Sequence, residues 1–197
     1  MMRIAMDNQN NTVLTTIYQR RSIGKLVLPV PNDDELAAAF QAAFAAPDHK
    51  QLKPWKFTVL TGQALIEFGR VLLQAEEVNA PADALDDTAR QKLLNMPMRA
   101  PMIITVATDI KEHEKVPPFE QLLSAGAAIQ NLLLALESLG YHTVWRTGPL
   151  CNEPVVKAHF DVADKDTICG FVYVGSSDVQ MPVRESIDIN DFVSFCD

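Results

Sequence analysis

The sequence predicts a sheet of about four strands that is covered by helices on both faces. Short β-branched runs alternate along the chain with longer segments whose apolar residues recur at helical spacing. This order of elements favours layers of helix, sheet and helix. The segments are separated by turns, and no linker divides the chain, so we expect one domain over residues 1–197.

The first half of the chain predicts three helices and one strand. The expected helices cover residues 12–20, 33–46 and 63–78, and the expected strand covers residues 55–60. Asn32 is a typical N-cap residue, and the three acidic residues after it suit the positive end of a helix dipole. Pro47 ends this helix, and a polar loop over residues 48–54 leads into the strand.

The second half predicts three more helices and three strands. The expected helices cover residues 88–95, 119–139 and 153–160, and the expected strands cover residues 102–107, 141–145 and 168–174. Gly140 lies at the usual C-terminal glycine position of the longest helix. We expect loops over residues 79–87 and 109–118 and an irregular tail after Ser177.

The most apolar segment, residues 122–139, is as long as a short membrane span. It contains Gln130, Asn131 and Glu137, which favour a helix buried in protein over a helix in lipid. Because the segment is apolar nearly all round, this helix should have packing partners on several faces.

The chain has 17 basic and 25 acidic residues, which gives a formal charge of −8. Nucleic acids and anionic membranes attract clustered lysine and arginine, so we expect neither as a partner. The three cysteines include no C-x-x-C pair and the four histidines are dispersed, which argues against a disulfide framework and a metal site. The start of the chain shows no signal-peptide pattern, and together these features predict a cytoplasmic protein.

Four common motifs are absent from the sequence: the phosphate loop, G-x-G-x-x-G, H-E-x-x-H and G-x-S-x-G. What remains are three small basic islands. In the first, Arg20, Arg21 and Ser22 follow a predicted helix, with Lys25 nearby, and together could hold a phosphate group. Basic residues at a helix C-terminus also offset the helix dipole, so both interpretations stay open.

The second island is the polar loop before Trp55, and the third follows the strand at residues 141–145. The loop carries four donors between two prolines, namely His49, Lys50, Gln51 and Lys53. It could present them to a planar ligand, or it could be a plain connection that ends at a core tryptophan. The third island, Trp145, Arg146 and Thr147, lies at a strand end, where ligand sites often lie, although a surface arginine in a turn also fits.

In this order, the islands resemble the nitroreductase family of FMN-dependent oxidoreductases. The resemblance covers residues 12–175 and rests on five segments: I-Y-Q-R-R-S at 17–22, A-P-D-H at 46–49 with P-W at 54–55, A-P-M-I-I at 100–104, S-A-G-A-A-I-Q-N-L-L-L-A at 124–135, and G-F-V-Y-V-G at 170–175. The short chain, the Asp-His form of the loop and the W-R-T-G segment resemble the small, minimal branch of the family.

The resemblance implies an α+β fold, a three-layer sandwich with a central, mostly antiparallel sheet flanked by helices, in an intertwined homodimer. Two FMN molecules would lie at the subunit interface. Carried over by position, the FMN-binding residues of one subunit would be Arg20, Arg21, Ser22, Trp145, Arg146 and Thr147. His49 would reach the flavin from the other subunit, and the further candidates are Lys25, Lys50, Gln51 and Lys53.

The family also implies an oxidoreductase that passes a hydride from NADH or NADPH through flavin N5 to an electron-poor acceptor, such as a nitroaromatic or a quinone, in ping-pong order. The chemistry would reside on the flavin, so no catalytic side chain is expected. Two alternatives stay open: a non-enzymatic flavin-binding or interaction protein on the same fold, and a specialised flavoenzyme that dehydrogenates or dehalogenates one metabolite. The chain departs from the family pattern at Gly24, where a basic residue is usual, at Gln51, where asparagine is usual, and at Lys53, where glutamine is usual. The minimal branch often has a basic residue at the position of Ala45.

Overall fold

The computed structural model describes residues 12–79, 81, 85–182 and 184–196. The chain start, on which the expectation about a signal peptide rests, and the centre of the loop predicted at residues 79–87 lie outside the described residues. The helices are α1 (Thr12–Gln19), α2 (Asp33–Phe44), α3 (Gln63–Asn79), α4 (Asp87–Leu94), α5 (Pro118–Ser138) and α6 (Pro154–His159). The strands are β1 (Trp55–Thr61), β2 (Met102–Thr108), β3 (His142–Arg146) and β4 (Ile168–Gly175).

The four strands form one antiparallel sheet in the order β1-β2-β4-β3. Side chains of a strand point alternately to the two faces of its sheet. Ile104 and Val172 therefore pack with α2 and α5, whereas Ile103 and Tyr173 pack with α3 and α6 on the other face. Each position of β2 is buried, because helices cover both faces. The predicted α+β sandwich of three layers is confirmed.

Local signals in the sequence set the ends of the helices. The Asn32 side chain accepts a hydrogen bond from the Glu35 amide at 3.0 Å, and the Glu35 carboxylate accepts one from the Asn32 amide at 2.9 Å, which forms a capping box at the start of α2. This helix ends at Phe44, two residues earlier than predicted, because Pro47 disfavours helical backbone in the residue before it. Gly140 follows α5 with a φ of +88°, as a C-terminal glycine does.

Helix α5 packs against α2 and the sheet along one side, where its buried residues include Ile129 and Leu132. Within the described residues it is the one helix with the length and composition of a membrane span, a property that it shares with the core helices of water-soluble proteins. Its first turns expose Phe119, Leu122 and Leu123 by 62%, 44% and 66%. Within this subunit α5 also contacts α1 and the turn at His49–Gln51, in addition to α2 and the sheet.

The segment after α1 runs along the outer edge of β3. The Ile23 amide donates a hydrogen bond to the Thr143 carbonyl at 3.0 Å, next to an isolated parallel bridge between Ser22 and Thr143. Further on, Val27 bridges to Ser176 just beyond β4. In the described part of the tail, a single 3-10 turn at Ile189–Asp191 is the regular structure present, in agreement with the irregular tail that was predicted.

Candidate functional site

The first and third basic islands meet at the outer edge of β3. The bridge between Ser22 and Thr143 brings the segment after α1 beside the strand that ends in Arg146. A guanidinium nitrogen of Arg146 lies 3.4 Å from the place that a Cβ atom would take at Gly24. The missing side chain at position 24 therefore leaves room for Arg146 to lie over the backbone of the first island.

The guanidinium group of Arg146 has unused hydrogen-bonding capacity. Its Nε atom is buried and has no hydrogen-bond partner among the described residues. Its Cζ atom lies 5.5 Å from the ring centre of Tyr173, within the range of a cation–π contact. A buried donor without a partner is costly, and buried polar groups are nearly always paired in folded proteins. Nε itself is covered by protein, so an anion bound here would pair with the terminal nitrogens of the Arg146 guanidinium, one of which lies over Gly24.

The arginines of the first and third islands have no direct ion pair within the described residues. There, no carboxylate forms an ion pair with Arg20, Arg21 or Arg146. Burial lowers the pKa of Arg20 from its ordinary value, and the neighbouring charges of Arg184 and Arg21 lower it too, whereas Glu137 raises it. An acidic chain therefore carries a local concentration of positive charge, which attracts anions.

Arg21, which the sequence analysis named, and Arg184, which it did not, both bind backbone carbonyls at the end of α1. The Arg21 guanidinium donates hydrogen bonds to the carbonyls of Tyr18, Gln19 and Arg20 at the end of α1. These contacts fit the helix-dipole interpretation of Arg21. Arg184 donates to the Arg20 carbonyl at 3.1 Å, and sequence reasoning missed it because the tail around it carries no motif.

Trp145 and Arg146 project to opposite faces of the sheet, because successive residues of a strand do so. The indole Nε1 of Trp145 donates to the Cys169 carbonyl at 3.0 Å, and the ring lies against Gly170, where a Cβ atom would overlap it. The side chain of Trp145 thus does not join the group around Arg146. Of the other residues predicted here, Ser22, Lys25 and Thr147 are exposed.

The second island is a strained loop at the start of β1. Lys50, Gln51 and Lys53 have φ angles of +65°, +54° and +51°, a region that residues with a side chain rarely adopt. Such backbone costs about 1–2 kcal/mol per residue and persists where the surroundings hold it, often at functional sites. The Asp48 carboxylate closes the loop by accepting a hydrogen bond from the Lys53 amide at 2.7 Å.

Two contacts fix this loop to the start of α5. The Ser124 hydroxyl donates to the Pro47 carbonyl at 2.6 Å, and His49 Nδ1 lies 2.9 Å from a carboxylate oxygen of Glu120. Sequence reasoning missed Glu120 and Asp48. Glu120 stands 71 residues from His49, and its one visible signal is an acidic side chain in the first turn of a helix.

A shallow aromatic cleft lies beside this loop, between α2 and β1. The rings of Phe44 and Trp55 are stacked, with centres 6.4 Å apart and an angle of 2° between their planes. Phe40, Phe57 and Lys53 also line the cleft. Trp55 is half-buried here, whereas the plainer of the two interpretations of the loop placed it in the core.

The two parts of the site lie at opposite edges of the sheet. We call Ser22, Gly24 and Arg146 the β3 half-site, and the loop at residues 48–53 the β1 half-site. Both lie at the sheet end where β1 begins and β3 ends, but β2 and β4 separate their strands. At about 4.8 Å per strand, the separation is roughly 14 Å. Within one subunit the predicted residues therefore form two groups rather than one pocket.

The described residues provide neither a cysteine thiolate at Cys151 or Cys169 nor a cluster of metal ligands. Burial, with a smaller contribution from Cys151, raises the pKa of the Cys169 thiol to about 11. Burial also raises the pKa of Cys151, so both thiols are protonated near neutral pH. Among the described residues, no group of three or more histidine, cysteine or acidic side chains has the arrangement of a metal site.

Comparison with known proteins bears on the family and the fold of the chain. The sequence profile of the Nitroreductase family matches residues 17–176. The chain is 38% identical over 182 residues to "Putative NAD(P)H nitroreductase YdjA" of Escherichia coli K12, covering 92% of this chain and 96% of that protein. A nitroreductase-like family protein of Bacillus cereus superimposes with a TM-score of 0.79 at 19% identity, covering 94% of this chain and 96% of the other. A nitroreductase with bound FMN from Bacteroides fragilis superimposes with a TM-score of 0.71 at 22% identity, covering 95% and 100%.

Proposed function

The chain belongs to the nitroreductase family, and from this premise we propose that it is an FMN-dependent oxidoreductase that takes electrons from NADH or NADPH and delivers them to an electron-poor small molecule. The acceptors that suit this chemistry are nitroaromatics, quinones and similar compounds. When bound, FMN supplies the hydride chemistry, which amino-acid side chains lack. The protein supplies binding, orientation and charge.

The observation that carries this proposal is the unpaired guanidinium of Arg146 at the β3 half-site. A phosphate group offers several acceptor oxygens and a double negative charge, and both suit an arginine guanidinium that has no ion-pair partner in the described part of the chain. The absence of a side chain at Gly24 lets the guanidinium lie over the backbone of this segment, and Ser22, an exposed residue two positions earlier, offers a hydroxyl as a further donor. In the proposed site these residues hold the FMN phosphate, with Arg20 adding positive charge.

The β1 half-site is assigned to the flavin of a second subunit, because it lies a sheet width from Arg146 in its own subunit. Lys50, Gln51 and Lys53 are exposed donors on this loop, and His49 is exposed beside them. A lysine ammonium group beside the flavin ring would favour the electron-rich, reduced ring by its charge. No side chain is needed as a proton donor, since water can supply the protons.

Exposed apolar residues support a homodimer. Val13 and Ile17 on α1 are 64% and 39% exposed, and Phe119 and Leu123 at the start of α5 are more than 60% exposed. Apolar surface of this kind often marks a contact with another protein chain. In the proposed dimer, a second copy of the chain covers these residues and adds its β1 half-site to the β3 half-site of the first.

The proposal is tested by the absorbance spectrum of the purified full chain, followed by anaerobic titration with NADH and with NADPH. We expect a visible flavin band that one or both nucleotides bleach and that an added quinone or nitroaromatic restores. A colourless protein that takes up no FMN would contradict the proposal. Binding of FMN without turnover by any acceptor would instead indicate a non-enzymatic flavin-binding protein.

A further inference from the structure

We propose that Glu120 is a positioning residue that holds His49 in the tautomer with its proton on Nδ1, so that Nε2 accepts a hydrogen bond from an N–H or O–H group of the flavin. The flavin in question is the one whose phosphate is held by the second subunit. This inference rests on the proposed function and extends it to the recognition of the part of the cofactor beyond its phosphate.

The contact between the two side chains determines the tautomer. His49 Nδ1 lies 2.9 Å from Glu120 Oε2, and an ionised carboxylate can accept hydrogen bonds but cannot donate them. A neutral imidazole in this contact therefore carries its proton on Nδ1 and has a lone pair on Nε2. Glu120 lies in the first turn of α5, where an acidic side chain interacts favourably with the helix dipole.

The backbone around His49 is held independently of this contact. Ser124 is 6% exposed and lies one helical turn after Glu120, on the same face of α5, where its hydroxyl binds the Pro47 carbonyl. Asp48 closes the other side of the loop through the Lys53 amide. Among the described residues, Glu120 is the one hydrogen-bond partner of the His49 ring, and 52% of the His49 side chain is exposed. Glu120 therefore orients the ring, while other residues hold the loop.

The two half-sites then recognise opposite kinds of group. Arg146 offers donors and suits phosphate oxygens, whereas a lone pair on His49 Nε2 does not suit them. A flavin presents donors of two kinds, the imide N–H of its ring and the hydroxyl groups of its ribityl chain. Either group can donate a hydrogen bond to the lone pair on His49 Nε2. A comparison of flavins with and without the ribityl chain distinguishes the imide N–H from the hydroxyl groups.

The first test needs no cofactor. In the apoprotein, imidazole nitrogen chemical shifts from ¹⁵N NMR report the tautomer of each histidine, and His49→Gln identifies the signals of His49. We expect the Nδ1–H form in the wild type and a shift toward the Nε2–H form in Glu120→Ala. Glu114→Ala is the matched control, because Glu114 is an exposed acidic residue just before α5 that contacts Lys115 rather than a histidine. An Nε2–H form in the wild type would overturn the inference.

The second test measures flavin affinity by fluorescence quenching. Loss of one neutral hydrogen bond predicts that Glu120→Ala binds FMN about three- to tenfold more weakly. Glu120→Gln should recover part of this loss, because its amide oxygen can still accept from Nδ1. Riboflavin and lumiflavin both lack phosphate, and lumiflavin also lacks the ribityl chain. A loss for both identifies the imide N–H as the donor, and a loss for riboflavin alone identifies a ribityl hydroxyl.

The outcomes separate this inference from the function on which it rests. If Glu120→Ala binds all three flavins as the wild type does, the role of Glu120 is refuted while the FMN site at Arg146 stands. If the wild-type protein binds no FMN, the proposed function fails and the flavin contact of His49 fails with it. The NMR experiment still decides in that case whether Glu120 sets the tautomer of His49.

Discussion

The β3 half-site is built on regular backbone pairing, whereas the β1 half-site is a strained loop that side chains hold in place. At β3, the bridge from Ser22 to Thr143 places an arginine over a glycine without any unusual turn. At β1, three non-glycine residues adopt left-handed backbone and are held by Asp48, Ser124 and Glu120. A buried cation benefits from a rigid support, because a charge displaced from its anion loses most of its interaction energy. A strained loop that its surroundings hold in place is instead already in its binding conformation before the ligand arrives.

The largest effect should follow from Arg146→Ala at the β3 half-site. A hydrogen bond to a charged group contributes about 1.5–3 kcal/mol, so we expect FMN affinity to fall about tenfold to a hundredfold. Fluorescence titration of the apoprotein measures this, and size-exclusion chromatography checks that the dimer persists. Arg70→Ala removes an exposed arginine of α3 and is the matched control. An unchanged affinity would exclude Arg146 from the site.

A mixture of two defective chains tests whether the half-sites belong to different subunits. In a heterodimer of Arg146→Ala and His49→Ala chains, one site combines an intact Arg146 with an intact His49, and the other site has neither. We expect one of the two sites to regain wild-type affinity after the subunits are exchanged, measured as a tight phase in FMN titration. A mixture that shows no tight phase, despite proven heterodimers, would place both half-sites in one subunit.

The space at Gly24 predicts a smaller effect. A leucine at this position meets the Arg146 guanidinium and moves it, so Gly24→Leu should weaken FMN binding about three- to tenfold, the share of one hydrogen bond. Gly24→Ala is the control, since a Cβ atom at 3.4 Å makes an ordinary contact. Equal affinity of the leucine variant and the wild type would show that Arg146 does not need this position.

The smallest effect concerns the strain in the β1 half-site. Glycine adopts the left-handed backbone of Lys50 without steric cost, so Lys50→Gly should leave the free energy of unfolding unchanged or raise it by up to about 1 kcal/mol. Lys56→Gly in β1 is the matched control and should lower it by about 0.5–1 kcal/mol. Thermal unfolding measures both, and a greater loss for Lys50→Gly would contradict the strain at this position.

The sequence was informative wherever a local rule determines the structure. The apolar run of β2 was predictable because both faces of this strand are buried. The start of α2 at Asn32 and the end of α5 before Gly140 were predictable because capping depends on local sequence. The proximity of the first and third islands came from the family resemblance, and the bridge between Ser22 and Thr143 gives it a structural basis.

Features that depend on tertiary contacts were not predictable. Lysine and glutamine give no signal for left-handed backbone, because the energy that holds it comes from Asp48 and from α5. The partner of His49 is distant in the sequence, so no spacing rule reveals it. Strand alternation predicts that Trp145 and Arg146 point to opposite faces of the sheet. Which residue points to which face depends on how β3 pairs with β4, and the sequence does not show that pairing.

The positions of the two tryptophans allow cofactor binding to be followed by intrinsic fluorescence. Trp55 follows the β1 half-site and stacks on Phe44, while Trp145 neighbours Arg146 and rests on Gly170. The chain contains two tryptophans in all, so each half-site has its own fluorophore. Oxidised flavin absorbs where indole emits, and Förster transfer would therefore quench both. With Trp55→Phe or Trp145→Phe, the remaining emission reports cofactor binding through one tryptophan at a time.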